Sequence, residues 1–193
     1  MIGTIEKFDH SVFLALYSWG GRNAVFDYLI INLGEYIPYL LLLFLAGMAG
    51  AGFIPRFQVW REANAKIFVL AVFSALLARF GAVPFIRLLF ERTRPFEILP
   101  IANLIAHETG GSFPSGHAAA SFAIAAALWR RYPRLSIVFY ILSIFMGVAR
   151  IIGGVHWPSD ILVGAAVGMG AVWILRKLNT IIQFHIQCAP RTN

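Results

Sequence analysis

The chain is 193 residues long, enough for one domain, and 59% of its residues are hydrophobic, with a mean hydropathy of +0.74. Only 13% are charged, against roughly 25% in a soluble domain, so lipid rather than water is the expected solvent. A net charge of +7 could suit nucleic acid, but the basic residues gather in short loops instead of a stripe with interleaved aromatics, and the single Cys188 excludes an internal disulfide framework.

Residues 1–20 carry Glu6, Lys7, Asp9 and His10, then an apolar run from Val12 to Trp19 that is too short to span. No small-residue cleavage site follows, which argues against a removable signal peptide. Phe8, Val12, Ala15, Leu16 and Trp19 recur at helical spacing and predict an amphipathic helix in the membrane interface. A first span is expected from about Asp27 to Ile54, interrupted only by Glu35 and Pro38, followed by a polar connector with Arg56, Arg61 and Lys66. A second covers about Ile67 to Leu89, with Arg79 inside it. The longest polar stretch, Phe90 to Ser112, holds Glu91, Arg92, Arg94, Glu97, His107 and Glu108. The third span, Ser115 to Trp129, stops at Arg130, Arg131, Tyr132, Pro133 and Arg134. A fourth runs from Leu135 to Ile152, and the turn Gly153 to Ser159 leads into a fifth, Asp160 to Leu175, closed by Arg176 and Lys177. Residues 178–193 read as a frayed tail. The pattern predicts an all-α, multi-pass transmembrane bundle of five to six helices with an amphipathic N-terminal helix, one membrane-embedded domain over 1–193.

Charge sets the orientation. The connectors at 55–66, 130–134 and 176–177 are basic and alternate with those at 90–114 and 153–159, so the positive-inside rule puts the first set in the cytoplasm and the second outside. Arg87, Arg92 and Arg94 run against that trend, which marks them for function. Glu35 and Arg79 fall at similar depths in neighbouring spans and are expected to pair, because pairing lowers the cost of burying either charge. Gly164 and Gly168 form a GxxxG; packing within the chain is the expectation, with a dimer seam the weaker alternative, and a homo-oligomer stays open.

Three groups converge on the outer face: Arg87-x6-Arg94-Pro95, Pro114-Ser115-Gly116-His117, and Arg150-x5-His156-x3-Asp160. The stretch Gly110 to His117 reads as a loop turning into a helix. Pro114 suits a first turn, Ser115 offers a capping hydroxyl, and the free N–H groups there form an anion site. Guanidinium groups fit tetrahedral oxyanions through paired hydrogen bonds, so three arginines point to phosphate. Asp160, one turn after His156, can accept the imidazole Nδ1–H and leave Nε2 free to attack, while His117 can protonate the leaving oxygen. Each group alone could be structural: a packed histidine, an interfacial arginine, an ordinary capped helix start. All three in order on one face argue for a site. A zinc site from His107, His117 and His156 lacks regular ligand spacing, and the surrounding arginines would repel a cation, so no metal or cofactor is expected.

These three groups resemble the signature of the type 2 phosphatidic acid phosphatase superfamily, which also contains bacterial acid phosphatases and vanadium haloperoxidases. The resemblance covers Arg87 to Asp160, and the flanking spans fit the membrane branch. It implies a metal-independent phosphatase in which His156 is the nucleophile and forms a phosphohistidine, Asp160 orients it, and His117 is the general acid. Arg87, Arg94, Ser115, the Gly116 backbone N–H and Arg150 would hold the phosphoryl oxygens. Two positions depart from the family pattern: Arg87 stands where lysine is usual, and Ala149 where serine often precedes the arginine. The implied partners are a lipid phosphate and membrane lipids, with no nucleic acid. Small size and the short amphipathic start are similar to bacterial undecaprenyl-diphosphate phosphatases; phosphatidylglycerophosphate, diacylglycerol diphosphate and lipid A phosphates stay open as substrates, and a non-catalytic lipid-phosphate carrier is the alternative of another class. Arg92 is expected to be a solvated loop arginine, or else to hold a second phosphate.

Overall fold

The computed structural model describes residues 2–106 and 109–188, with side chains over 6–106 and 109–181; His107 and Glu108 lie outside the described residues. Among the described residues every regular element is helical. Helix α1 spans Ile2–Tyr17 and α2 spans Ala24–Ala51. Asn23 caps α2, its side-chain oxygen accepting from Val25 N at 2.8 Å and Phe26 N at 3.2 Å. At 28 residues α2 is about 42 Å long, ample for a bilayer core, and it runs unbroken through Glu35 and Pro38.

The expected polar connector is half helix. A 3₁₀ turn, Pro55–Trp60, leads directly into α3, Arg61–Leu76, whose first turn already holds Glu62. A π turn, Leu77–Ala82, then joins α3 to α4, Val83–Leu89. Pro84 opens α4 and cannot donate to the preceding turn, and the wider π turn absorbs the lost bond without ending the span. After a short α5, Pro95–Ile98, the chain reaches α6, Gly116–Leu128, then α7, Pro133–Ile152, and α8, Pro158–Cys188. The tail expected to fray after Lys177 instead continues α8 as far as Cys188; residues 189–193 lie outside the described residues.

Among the described residues four segments are long and apolar enough to cross a membrane: Ala24–Ala51, Pro55–Leu89, Pro133–Ile152 and Pro158–Ile181. Their outer faces expose Leu40, Leu43, Phe44, Phe73, Ile141 and Phe145, residues that belong in hydrocarbon. The chain is a multi-pass membrane protein. The third expected span behaves differently: α6 is about 20 Å long, and every residue from His117 to Leu128 is buried. It is a central post walled by α3, α7 and α8. Its alanines let α8 approach closely. A Cβ on Gly164 would lie 2.5 Å from the Ser115 carbonyl oxygen, and one on Gly168 would collide with that of Ala119. The GxxxG is thus a seam inside the chain.

Helix α1 docks by a different face from the one its spacing suggested. Asp9, Phe13, Leu16 and Tyr17 turn inward, with Phe13 stacked on Tyr17 and tilted against Trp157, whereas Phe8 and Trp19 stay over half exposed. Of the expected stripe Leu16 packs inward, while Phe8, Ala15 and Trp19 are exposed, where an interface would meet them. Alternation of the spans puts residues 87–95, 115–117 and 150–160 at one end of the bundle and 52–66, 129–134 and Arg176 at the other. Tyr132 Oη to Asn64 Oδ1 at 2.7 Å and Arg176 Nη2 to the Ala127 carbonyl at 3.0 Å tie that second end together.

Candidate active site

The α6 helix begins where the sequence placed it, with one correction. Ser115 is the N-cap, its hydroxyl accepting from Ala118 N at 3.4 Å, so Pro114 sits just before the cap, on a cis peptide bond, and not in the first turn. Ser115 N donates to the Asp160 carbonyl at 3.0 Å, which fastens the start of α6 to the start of α8. His117 follows in the first turn and is 8% exposed.

Asp160 is fully buried and surrounded by donors. Its Oδ2 lies 3.4 Å from His156 Nδ1 and accepts from Trp157 N at 2.9 Å, while Oδ1 accepts from Arg92 Nη1 at 2.8 Å. The helical four-residue spacing brings the carboxylate to Nδ1, as expected, and directs Nε2 of His156 away from it. Trp157 is fixed in turn by its indole N–H, which donates to the Thr93 carbonyl at 3.0 Å.

The three cradle arginines come from separate elements. Arg87, in the last turn of α4, donates to the Pro114 carbonyl at 3.0 Å and runs past Gly111. Arg94 is 2% exposed and donates to the carbonyls of Val155 at 2.9 Å and Gly111 at 3.1 Å. Glu97 holds its backbone, accepting from Arg94 N at 2.8 Å and from Gly110 N at 3.1 Å. Burial first, and the Arg87 charge second, push the Arg94 guanidinium down to about 10, with Asp160 and Glu97 opposing the shift. Arg150 is 0% exposed and donates to the Gly34 carbonyl at 3.0 Å and to Glu35 Oε1 at 3.3 Å.

Among the described residues Arg87 Nε, Arg94 Nε, and Arg150 Nε and Nη2 are buried and have no protein acceptor. Burying a guanidinium donor unmatched costs on the order of 1–3 kcal/mol or more, and an oxyanion is the kind of group that would match four such donors on three arginines. A cleft of about 530 Å³, lined by Arg87, Arg92, Thr93, Glu97 and Gly111, opens beside them. Polar N–H groups from the start of α6 face the same end.

Two sequence expectations fail here. Glu35 does not pair with Arg79. Its carboxylate bridges Arg150, at 3.3 Å, and His117 Nε2, at 3.6 Å, because its turn of α2 faces α6 and α7. Arg79 instead passes along Gly116 and lies over the Phe80 ring, 5.6 Å from its centroid. Arg92 is not simply a solvated loop arginine, since three quarters of its side chain is buried. It pairs with Asp9 and Asp160, donates to Ser159 Oγ at 2.6 Å, and stacks 5.3 Å over Trp157. Asp9 is 1% exposed and also accepts from Ser159 N at 2.9 Å and from the Ser159 hydroxyl. A chain of contacts, Asp9–Arg92–Asp160–His156, therefore links α1 to the histidine. Glu35 and Asp9 went unassigned to the site in the sequence. The available signal was an acid in an otherwise apolar helical face, which names a cost but not a partner.

Residues 66–182 match the PAP2 superfamily. The chain is 31% identical over 139 residues to the lipid A 1-phosphatase of Rhizobium johnstonii, covering 66% of this chain and only 55% of that protein. It is 25% identical over 187 residues to the undecaprenyl-diphosphatase BcrC of Bacillus subtilis, covering 95% and 90% of the two chains. The crystal structure of Aquifex aeolicus LpxE superposes with a TM-score of 0.66 at 24% identity, over 86% of this chain and 93% of that one, and shares the fold. Helices, motif order and match agree: the chain belongs to the PAP2 superfamily, as a multi-pass membrane member.

Proposed function

We propose that the protein hydrolyses the terminal phosphate of a lipid diphosphate, with undecaprenyl diphosphate as the substrate, at the outer face of the cell membrane. The observation that carries this reading is the set of four unmatched guanidinium donors on Arg87, Arg94 and Arg150 beside two histidines. The seat holds the phosphoryl oxygens, helped by the Ser115 hydroxyl and the Gly116 N–H. His156 Nε2 attacks phosphorus as the bond to the bridging oxygen breaks, and His117 gives that oxygen a proton. Asp160 keeps the His156 Nδ1 proton in place and balances the charge that forms on the ring. Water then attacks the phosphohistidine, His117 takes its proton, and the P–N bond breaks to release inorganic phosphate. Charge gathered on the equatorial oxygens meets donors already in position. Every step uses side chains of this chain and water.

The apolar part of the substrate has a place as well. A groove of about 210 Å³ lined by Pro38, Tyr39, Leu42, Phe80, Ala120 and Ile124 begins one turn beyond Glu35 and His117, on the same faces of α2 and α6. A polyprenyl chain in that groove would leave its diphosphate at the arginines. The near full-length similarity to a protein named undecaprenyl-diphosphatase favours that substrate over lipid A, whose phosphatase is matched over 55% of its length. Orientation follows from the basic connectors at the opposite end.

The test is phosphate release by purified protein in detergent, across undecaprenyl diphosphate, phosphatidylglycerophosphate, diacylglycerol diphosphate and a lipid A phosphate, with and without a chelator. Undecaprenyl diphosphate should give the highest kcat/KM, unchanged by chelation. Preference for another lipid overturns the substrate; loss on chelation overturns the metal-free mechanism. Binding without turnover by the unaltered protein would support a carrier instead.

A further inference from the structure

The end of the bundle opposite the arginine seat holds a second cavity, of about 530 Å³, between α3, α6 and α8. Lys66, Arg130, Arg131 and Arg176 line it together with Leu70 and Phe73, and no carboxylate is among its lining residues. Arg130 and Arg176 share its wall. Among the described residues only Lys66 of the four has a counter-charge at hand, Glu62 at 3.5 Å on an exposed turn of α3. Arg176 reaches the last carbonyls of α6, and Arg131 stacks 5.0 Å over Trp60. Four like charges around one cavity favour an anion there.

The depth of the cavity identifies the anion's source. Trp60, Trp129 and Trp173 are exposed at this end, the last under Lys177 at 5.0 Å. Indole rings collect at headgroup level, so the cations sit where lipid phosphates lie and Leu70 and Phe73 sit where acyl chains begin. A free phosphate would use the cations alone and leave the apolar wall idle. We propose that this cavity binds an anionic phospholipid, its phosphodiester against Lys66, Arg130, Arg131 and Arg176 and an acyl chain along Leu70 and Phe73. The site is separate from the arginine seat and independent of what that seat hydrolyses. Occupancy would brace the α6–α8 seam from the end opposite Ser115.

The full chain is reconstituted in phosphatidylcholine nanodiscs with and without phosphatidylglycerol, and lipid retention is read by native mass spectrometry alongside the thermal midpoint. Phosphatidylglycerol should be retained and should raise Tm. The double variant Lys66→Gln/Arg130→Gln, both exposed positions, should lose about tenfold or more in retention, whereas Arg134→Gln, basic and at the same end but outside the cavity, should retain it. Equal retention of both lipids overturns the proposal. So does retention that the double variant leaves intact, or that Arg134→Gln reduces equally. Inorganic phosphate producing the same Tm rise in phosphatidylcholine discs would reveal a bare anion site and overturn the lipid assignment.

Discussion

The two ends of the bundle are both rich in arginine, yet they treat it in opposite ways. At one end Arg94 and Arg150 are 2% and 0% exposed, anchored by main-chain carbonyls and, for Arg150, also by Glu35, with donors left over. At the other, Arg130 and Arg131 are exposed, and Arg131 rests on aromatic rings. A buried cation with donors left over can offer them to a ligand, whereas an exposed one in a connector suits topology and lipid headgroups. The contrast separates chemistry from orientation within one net charge of +7.

Breaking the chemical end should be costly. The largest effect is expected from His156→Ala, which removes the attacking nitrogen; phosphate release should fall by on the order of 10⁴-fold or more, with lipid-phosphate binding retained in a flotation assay. Arg150→Lys keeps the charge but loses the planar fork, and kcat should drop by about 10²-fold with a smaller change in KM. Arg92→Ala leaves the seat intact and frees Asp160, so kcat should fall by about 10²-fold through misorientation of His156. Asp9→Asn, one contact further out, should do the same to a lesser degree. Equal kcat in both variants would make the link to α1 structural only.

The same contrast can be sharpened by pH. Arg94 is held at about 10, below the ordinary guanidinium range. Its charge, and with it substrate affinity, should be lost as pH rises through about 10, seen as a rising KM. Stability should move the other way. Above about 10, and up to the ordinary guanidinium range, the unfolded chain binds the extra proton, so Arg94's contribution to unfolding free energy rises with pH. The smallest effect belongs to the other end: Arg134→Gln should leave turnover unchanged and alter stability by no more than about 0.5 kcal/mol.

The spans and the three motifs were legible because hydrophobic length and the short spacings inside Arg150-x5-His156-x3-Asp160 survive any arrangement of the helices. What failed depends on helix rotation. Glu35 and Arg79 share a depth, but α2 turns Glu35 toward Arg150 and His117. On α1 the helical period is visible in the sequence and the buried face is not. Asp9 and Phe13 face the bundle because Arg92, Ser159 and Trp157 meet them there, partners some 80 to 150 residues away. Arg92 looked like a loop residue for the same reason. No local pattern announces an acid that arrives from another helix.

The central claim is that His156 carries the phosphoryl group between the two half-reactions. Rapid quenching with a substrate labelled at its terminal phosphate, under alkaline conditions that preserve phosphohistidine, followed by peptide mass spectrometry, tests it directly. The account predicts one transient phosphoryl group on His156, absent in His156→Ala. Turnover that persists in that variant, or a label found on another residue, would contradict it.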